Sequence, residues 1–249
     1  MLSEKPWRSE IVMFFIGTLL LCWNLTFIVV MTCHHFKVAG FEDPESVGNI
    51  VAMTLAFHGI TLLWIPFFLR FHAIGFRELY CRQDVFKSVA LAVIAVVIVL
   101  PAAMLLEAVF IFLLQKMGWK VEDEAAVKLV TDAHTLGMQI YLGVFTIVVA
   151  PVAEEFLFRG VLFRFAKQKG HRRFAWLGIS ALFGLIHLDV ARFIPLFVLA
   201  LVLTWLYERT GNLLAPTLTH SLFNTFGYVF IMFGEKLSQF FKKMGPAFH

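Results

Sequence analysis

Residues 150–165 read A-P-V-A-E-E-F-L-F-R-G-V-L-F-R-F. Two adjacent carboxylates, Glu154 and Glu155, and a guanidinium, Arg159, stand in a run that is otherwise almost wholly apolar. In hydrocarbon each such group costs several kcal/mol unless it is paired or faces a wet cavity. Packing alone does not keep three of them together. The stretch therefore reads as part of a functional site inside a membrane.

The rest of the chain fits that setting. It has 249 residues, 60% of them hydrophobic and 15% charged, with a mean hydropathy of +0.82. Soluble domains average about 45–50% apolar and about 25% charged residues. With repeated apolar runs of around twenty residues, this composition indicates an all-α, polytopic membrane bundle. The net charge of +4 comes from Lys and Arg lying between apolar runs. They read as topology determinants in a lipid bilayer, and no nucleic-acid partner is implied. Cys22, Cys33 and Cys81 lack metal-ligand spacing and read as small apolar filler. Lys5 and Arg8 precede an apolar run long enough to span, without a clear small-residue cleavage site, so no cleavable signal peptide is expected.

Spans are predicted over 11–31, 47–69, 86–114, 135–165 and 213–233, with shorter ones over 174–188 and 193–207. Pro101 should kink the third, and Pro151 should kink or break the fourth. The count is seven, or eight if the chain divides at Pro151 or the C-terminal stretch inserts. No repeat or linker interrupts residues 1–249, so one domain is expected, with 135–233 as its motif-bearing core. Basic residues at the N-terminus (Lys5, Arg8), in the second loop (Arg70, Arg77, Arg82, Lys87) and in the fourth (Arg164, Lys167, Lys169, Arg172, Arg173) place these on the cytoplasmic side. The first loop carries Glu42, Asp43 and Glu45, and the third mixes lysines with Glu122, Asp123, Glu124 and Asp132. Lys236, Lys242 and Lys243 fall on the wrong side of seven spans, which favours an eighth segment or a C-terminal amphipathic piece on the surface.

At i, i+4 spacing Glu155 and Arg159 share a helix face, as do His220 and Asn224. Glu154 is rotated by about 100° from Glu155 and should point into the bundle. At ~1.5 Å per residue, Glu154 and His187 each lie roughly 15–21 Å from the basic loop, and Asn224 about 18 Å from Asn212. The groups can therefore meet at one depth, reached from the cytoplasmic side. A glutamate among apolar residues, with a histidine to share its proton, can deprotonate a water for attack on a peptide carbonyl. His220 and Asn224 could then donate hydrogen bonds to the oxyanion. There is no G-x-S-x-G and no H-E-x-x-H. No cofactor is expected, although Glu154, His187 and His220 could also form a three-ligand zinc set.

Three motifs carry a resemblance: Glu154-Glu155-Phe-Leu-Phe-Arg159, Phe183-Gly-Leu-Ile-His187 and His220-Ser-Leu-Phe-Asn224. In type and order they resemble the CPBP family, the CAAX-protease and bacteriocin-processing group that includes Ras-converting CAAX endopeptidases. The resemblance covers residues 151–228. It implies an intramembrane glutamic endopeptidase in which Glu154 and His187 activate water and His220 and Asn224 stabilise the oxyanion. Glu155 and Arg159 would support them, or be a structural ion pair. The implied substrate is a membrane-associated or lipidated peptide or protein. The implied location is the cell (inner) membrane, with the site open towards the cytoplasm.

Phe183 should pack against the site. His58, Glu107, His134 and Asp189 read as structural groups, His58 hydrogen-bonding between helices and Glu107 lining a crevice. His34 and His35 read as solvated loop residues. Two other functions remain open at this level: a non-catalytic immunity factor or scaffold of the same fold, and a transporter that uses Glu154 and the histidines as a proton relay. The absence of paired half-repeats tells mildly against the transporter.

Overall fold

A computed structural model describes residues 6–42, 46–80, 84–120, 125–131, 133 and 135–244, with side chains followed to residue 234 except at 47, 125 and 126. Lys5, Asp43, Glu45, Cys81, Arg82, Glu122, Asp123, Glu124, Asp132 and His134, named above, lie outside the described residues, as do the side chains of Lys236, Lys242 and Lys243.

Seven long helices, with two short ones at Phe76–Tyr80 and Ala125–Thr131, make up the described fold: α1 Ser9–His35, α2 Gly48–Phe71, α3 Val85–Lys116, α4 Leu136–Gln168, α5 Arg172–Leu185, α6 Val190–Thr210 and α7 Leu214–Met244. Of these, α1, α2, α3, α4 and α6 are long and apolar enough to cross a membrane. Large apolar side chains such as Phe14, Leu21, Val97 and Ile98 stay exposed on them. Nothing but lipid suits so much apolar surface, and the chain is an integral membrane protein.

Several expectations are corrected. The sixth span is a full helix of 21 residues, closed by Gly211, whose left-handed backbone (φ 65°) ends it. Of the kink or break expected at Pro151 in the fourth, the break is absent. That helix runs without interruption through α-helical turns and two π-helical stretches, Phe145–Val149 and Phe156–Phe163. The wide turn absorbs what a missing N–H would otherwise break. No division of this helix supplies an eighth segment, and the chain after residue 233 continues α7 as far as Met244. At ~1.5 Å per residue that helix outruns a bilayer core of about 30 Å, so Lys236, Lys242 and Lys243 stand on its far extension. His34 and His35 form the last turn of α1, exposed as expected, and do not lie in a loop.

Between apolar helices in lipid there is no hydrophobic drive, so close packing and polar ties hold the bundle. α3, α6 and α7 pack against one another, α5 packs on α6, and α7 lies along the first π stretch of α4. Gly184 lets α5 approach α6: a Cβ there would sit 3.1 Å from the Phe193 ring and carbonyl. Asn212 caps α7 by accepting from Leu214 N–H (3.0 Å) and ties it to α3 by donating to Ser88 Oγ (3.2 Å). The segment before α1 is anchored on α4. Trp7 Nε1 donates to Gly160 O (2.8 Å), and the Arg164 guanidinium lies 3.6 Å over its ring. Beside it His72, just past α2, donates Nδ1–H to Phe68 O and accepts Arg8 N–H on Nε2.

Candidate active site

The sequence of α4 sets two carboxylates on different faces, and the structure uses them differently. Glu155 and Arg159 are wholly buried, with no exposed surface. Arg159 donates from Nη1 to Glu155 Oε1 (2.8 Å), from Nη2 to Ala200 O (3.0 Å) and from Nε to Thr204 Oγ1 (3.4 Å). The last two partners are on α6. The Phe183 ring lies 4.9 Å from the guanidinium and 5.6 Å from the His220 ring. The expected Glu155–Arg159 pair is therefore present, and Phe183 packs over it.

His220, on α7, joins the two carboxylates. Its Nδ1 donates to Glu155 Oε1 (3.0 Å), and its Nε2 stands 3.9 Å from Glu154 Oε2. Because a carboxylate only accepts, Nδ1 carries a proton, and Nε2 faces Glu154. Glu154 is nearly buried and turned inward. With His58, His187, Trp23, Met53, Thr54, Phe57 and Ile186 it lines a cavity of about 250 Å³. His187 donates Nδ1–H to Phe183 O (2.7 Å), which leaves Nε2 as the ring's other polar atom.

Asn224 has a different neighbour from the one its spacing suggests. It does not pair with His220. Its amide donates to Thr146 O (2.9 Å), a carbonyl in the first π stretch of α4. Ala150 N–H bonds to Phe145 O there, so Thr146 O would have to take the next N–H. The next residue is Pro151, which has none. The orphaned carbonyl goes to Asn224.

Sequence reasoning missed one member. His58, in the π stretch Leu55–Gly59 of α2, places Nε2 2.9 Å from Glu154 Oε1. The sequence indicates only a hydrogen bond between helices, with no named partner. A histidine inside an apolar span was the available signal, but the partner lies 96 positions away. Asp189 and Glu107 make structural contacts, Glu107 in an ion pair where a crevice-lining position is expected. Asp189 caps α6 by accepting from Ala191 and Arg192 N–H, and Glu107 pairs with Arg192 (3.1 Å). Among the described residues, no three His, Cys, Asp or Glu side chains converge as a metal-binding group.

Two carboxylates and one guanidinium leave one negative charge in a water-poor site, which a protonated imidazole can balance. A carboxylate ringed by imidazoles beside a cavity is chemically able to exchange protons. Residues 136–226 match the family described as type II CAAX prenyl endopeptidase Rce1-like, and all three motifs fall inside that stretch. Over this stretch the chain is similar to the CPBP, or CAAX-protease, family. It is similar, at 32% identity over 79 residues, to the protein of Bacillus subtilis (strain 168) titled "Putative membrane peptidase YdiL". It is also 32% identical over 81 residues to the UPF0177 protein YxdF of Lactococcus lactis subsp. lactis (strain IL1403). Each match covers 32% of this chain, and 32% and 44% of those relatives respectively, so the chain spans less than half the length of either. No solved structure matches at a significant level.

Proposed function

We propose that the protein is a membrane-embedded endopeptidase that hydrolyses a peptide bond with a water activated by Glu154. One observation carries this reading. The Glu154 carboxylate is buried against a small cavity, with Oε1 on His58 and Oε2 facing His220, while His187 lines the same space. Oε2 accepts no hydrogen bond from the protein, which suits an atom that must take a proton.

In the reaction, water between Glu154 and His187 gives its proton to Oε2 as its oxygen attacks the carbonyl carbon. His220, as an imidazolium with a proton on Nε2 as well as on Nδ1, and the second amide hydrogen of Asn224 would donate to the developing oxyanion. The C–N bond then breaks, and the proton passes from Glu154 to the leaving amine. Glu155 and Arg159 hold His220 in place. No cofactor takes part. The family match and the apolar lining from Trp23, Met53 and Phe57 favour a membrane-associated or lipidated peptide as substrate. The basic loops favour a site reached from the cytoplasmic side of the cell membrane.

The test is peptide profiling of membranes from cells carrying the wild type or Glu154→Ala. Peptides that accumulate uncut in the variant support the reading. Identical profiles at equal protein levels refute it.

A further inference from the structure

His58 lies outside the family-matched segment, on α2, yet makes the shortest side-chain contact to Glu154. Both its ring nitrogens face oxygens: Nδ1 is 3.1 Å from Thr54 O and Nε2 is 2.9 Å from Glu154 Oε1. A backbone carbonyl can only accept, so Nδ1 carries a proton. The short Nε2···Oε1 contact must then hold a second one, because two lone pairs would repel at that distance. With that proton on nitrogen, His58 Nε2–H donates to the Glu154 carboxylate.

The backbone of α2 is shaped for this contact. His58 sits in a π-helical stretch in mid-span. Such a stretch adds a residue to the turn, shifting side-chain direction by roughly 100° relative to an unbroken α-helix. The His58 ring is steadied edge-on by Phe145 of α4, with centroids 5.1 Å apart. Its side chain is 14% exposed, and that surface faces the cavity it shares with Glu154 and His187.

We infer that His58 is a positioning residue of the active site, whose Nε2–H bond holds Oε1 of Glu154 and so presents Oε2 to the water. The inference rests on the reading of Glu154 as the water-activating carboxylate. It fits the observation that Oε2 is the oxygen left without a protein donor. A carboxylate free to rotate would swing both oxygens through the cavity. Misplacing a reacting group by ~1 Å can cost about 10²-fold in rate.

Two variants separate a hydrogen-bonding role from a packing role. His58→Gln keeps an N–H donor near the place of Nε2, whereas His58→Leu fills the volume with none. Each is expressed as the full chain, with protein amount and thermal unfolding measured alongside cleavage of the peptides that accumulate with Glu154→Ala. The expectation is a loss of about 10²-fold for His58→Leu and a smaller loss for His58→Gln, at matched stability. Full activity in His58→Leu, or equal losses in the two, overturns the inference. If Glu154→Gln also cleaves normally, the parent reading is what fails.

A second measurement needs no substrate. With ¹⁵N-histidine label in nanodiscs, the imidazole resonance missing from His58→Gln is assigned to His58. It should move when Glu154 is changed to Gln. An unmoved resonance overturns the inference whatever the cleavage assay gives.

Discussion

His220 stands between the two adjacent glutamates, with Nδ1 3.0 Å from Glu155 Oε1 and Nε2 3.9 Å from Glu154 Oε2. Neighbours in sequence are thus divided between two tasks. Glu155 fixes the imidazole and the guanidinium in the wall, and Glu154 faces the space where chemistry can occur.

The Glu155–Arg159 pair should behave as a buried ion pair whose halves cannot be removed singly. Losing one partner strands a charge, at a cost of about 3–5 kcal/mol. Thermal unfolding in detergent should show that loss for Glu155→Leu and for Arg159→Met. The double variant should recover much of the stability. It should not recover activity, because His220 has lost the acceptor on Nδ1. Recovery of both would make the pair irrelevant to the site.

Pro151 should matter through Asn224. Pro151→Ala supplies the N–H that Thr146 O lacks, letting the carbonyl bond within α4 and releasing the Asn224 amide. The variant should be at least as stable as wild type, since a helix-interior proline is disfavoured by about 3 kcal/mol relative to alanine. Its cleavage rate should fall in the direction of Asn224→Ala, for which loss of an oxyanion donor predicts about 10²–10³-fold. A rate unchanged in both variants would remove Asn224 from the mechanism.

These cases mark what can be read from sequence. The Glu155–Arg159 contact is local and follows from helical spacing, as does the different direction of Glu154. The inward turn of the motif helices follows from placing ionisable groups in apolar runs. The partner of Asn224 is a main-chain carbonyl freed by a proline on another helix, which no side-chain pattern reports. His58 reaches Glu154 through a π stretch, and a 3.6-residue periodicity cannot anticipate that extra residue. Pro151 was legible as a disruption. Its outcome is a widened turn in a continuous helix, with Asn224 taking the orphaned carbonyl.

Acid should loosen the N-terminal anchor. Burial, with Arg164 and Arg8 nearby, holds the His72 pKa below its usual 6.5, outweighing the bond to Phe68 O that would raise it. Above about 6.5 the ring is neutral folded and unfolded, so its effect on stability is flat. As pH falls below that value the unfolded chain takes up the proton first, and stability declines until the folded pKa is passed. Unfolding temperature measured against pH should drop over this range in wild type and drop less in His72→Gln. Parallel curves would contradict it.

A glutamate mechanism predicts that metal chelators leave cleavage unchanged. Purified protein dialysed against chelator should keep its rate. Loss of activity, restored by zinc, would instead make Glu154, His187 and His220 metal ligands.

The central claim is that the Glu154 carboxylate activates the hydrolytic water. The direct measurement is the cleavage rate of an identified peptide by purified protein in nanodiscs, wild type against Glu154→Gln, in water enriched in ¹⁸O. The account predicts that wild type releases a new C-terminus carrying ¹⁸O and that Glu154→Gln is slower by at least about 10²-fold, the lower range for a general base. Glu154→Gln cleaving at the wild-type rate, with the same isotope uptake, would contradict it.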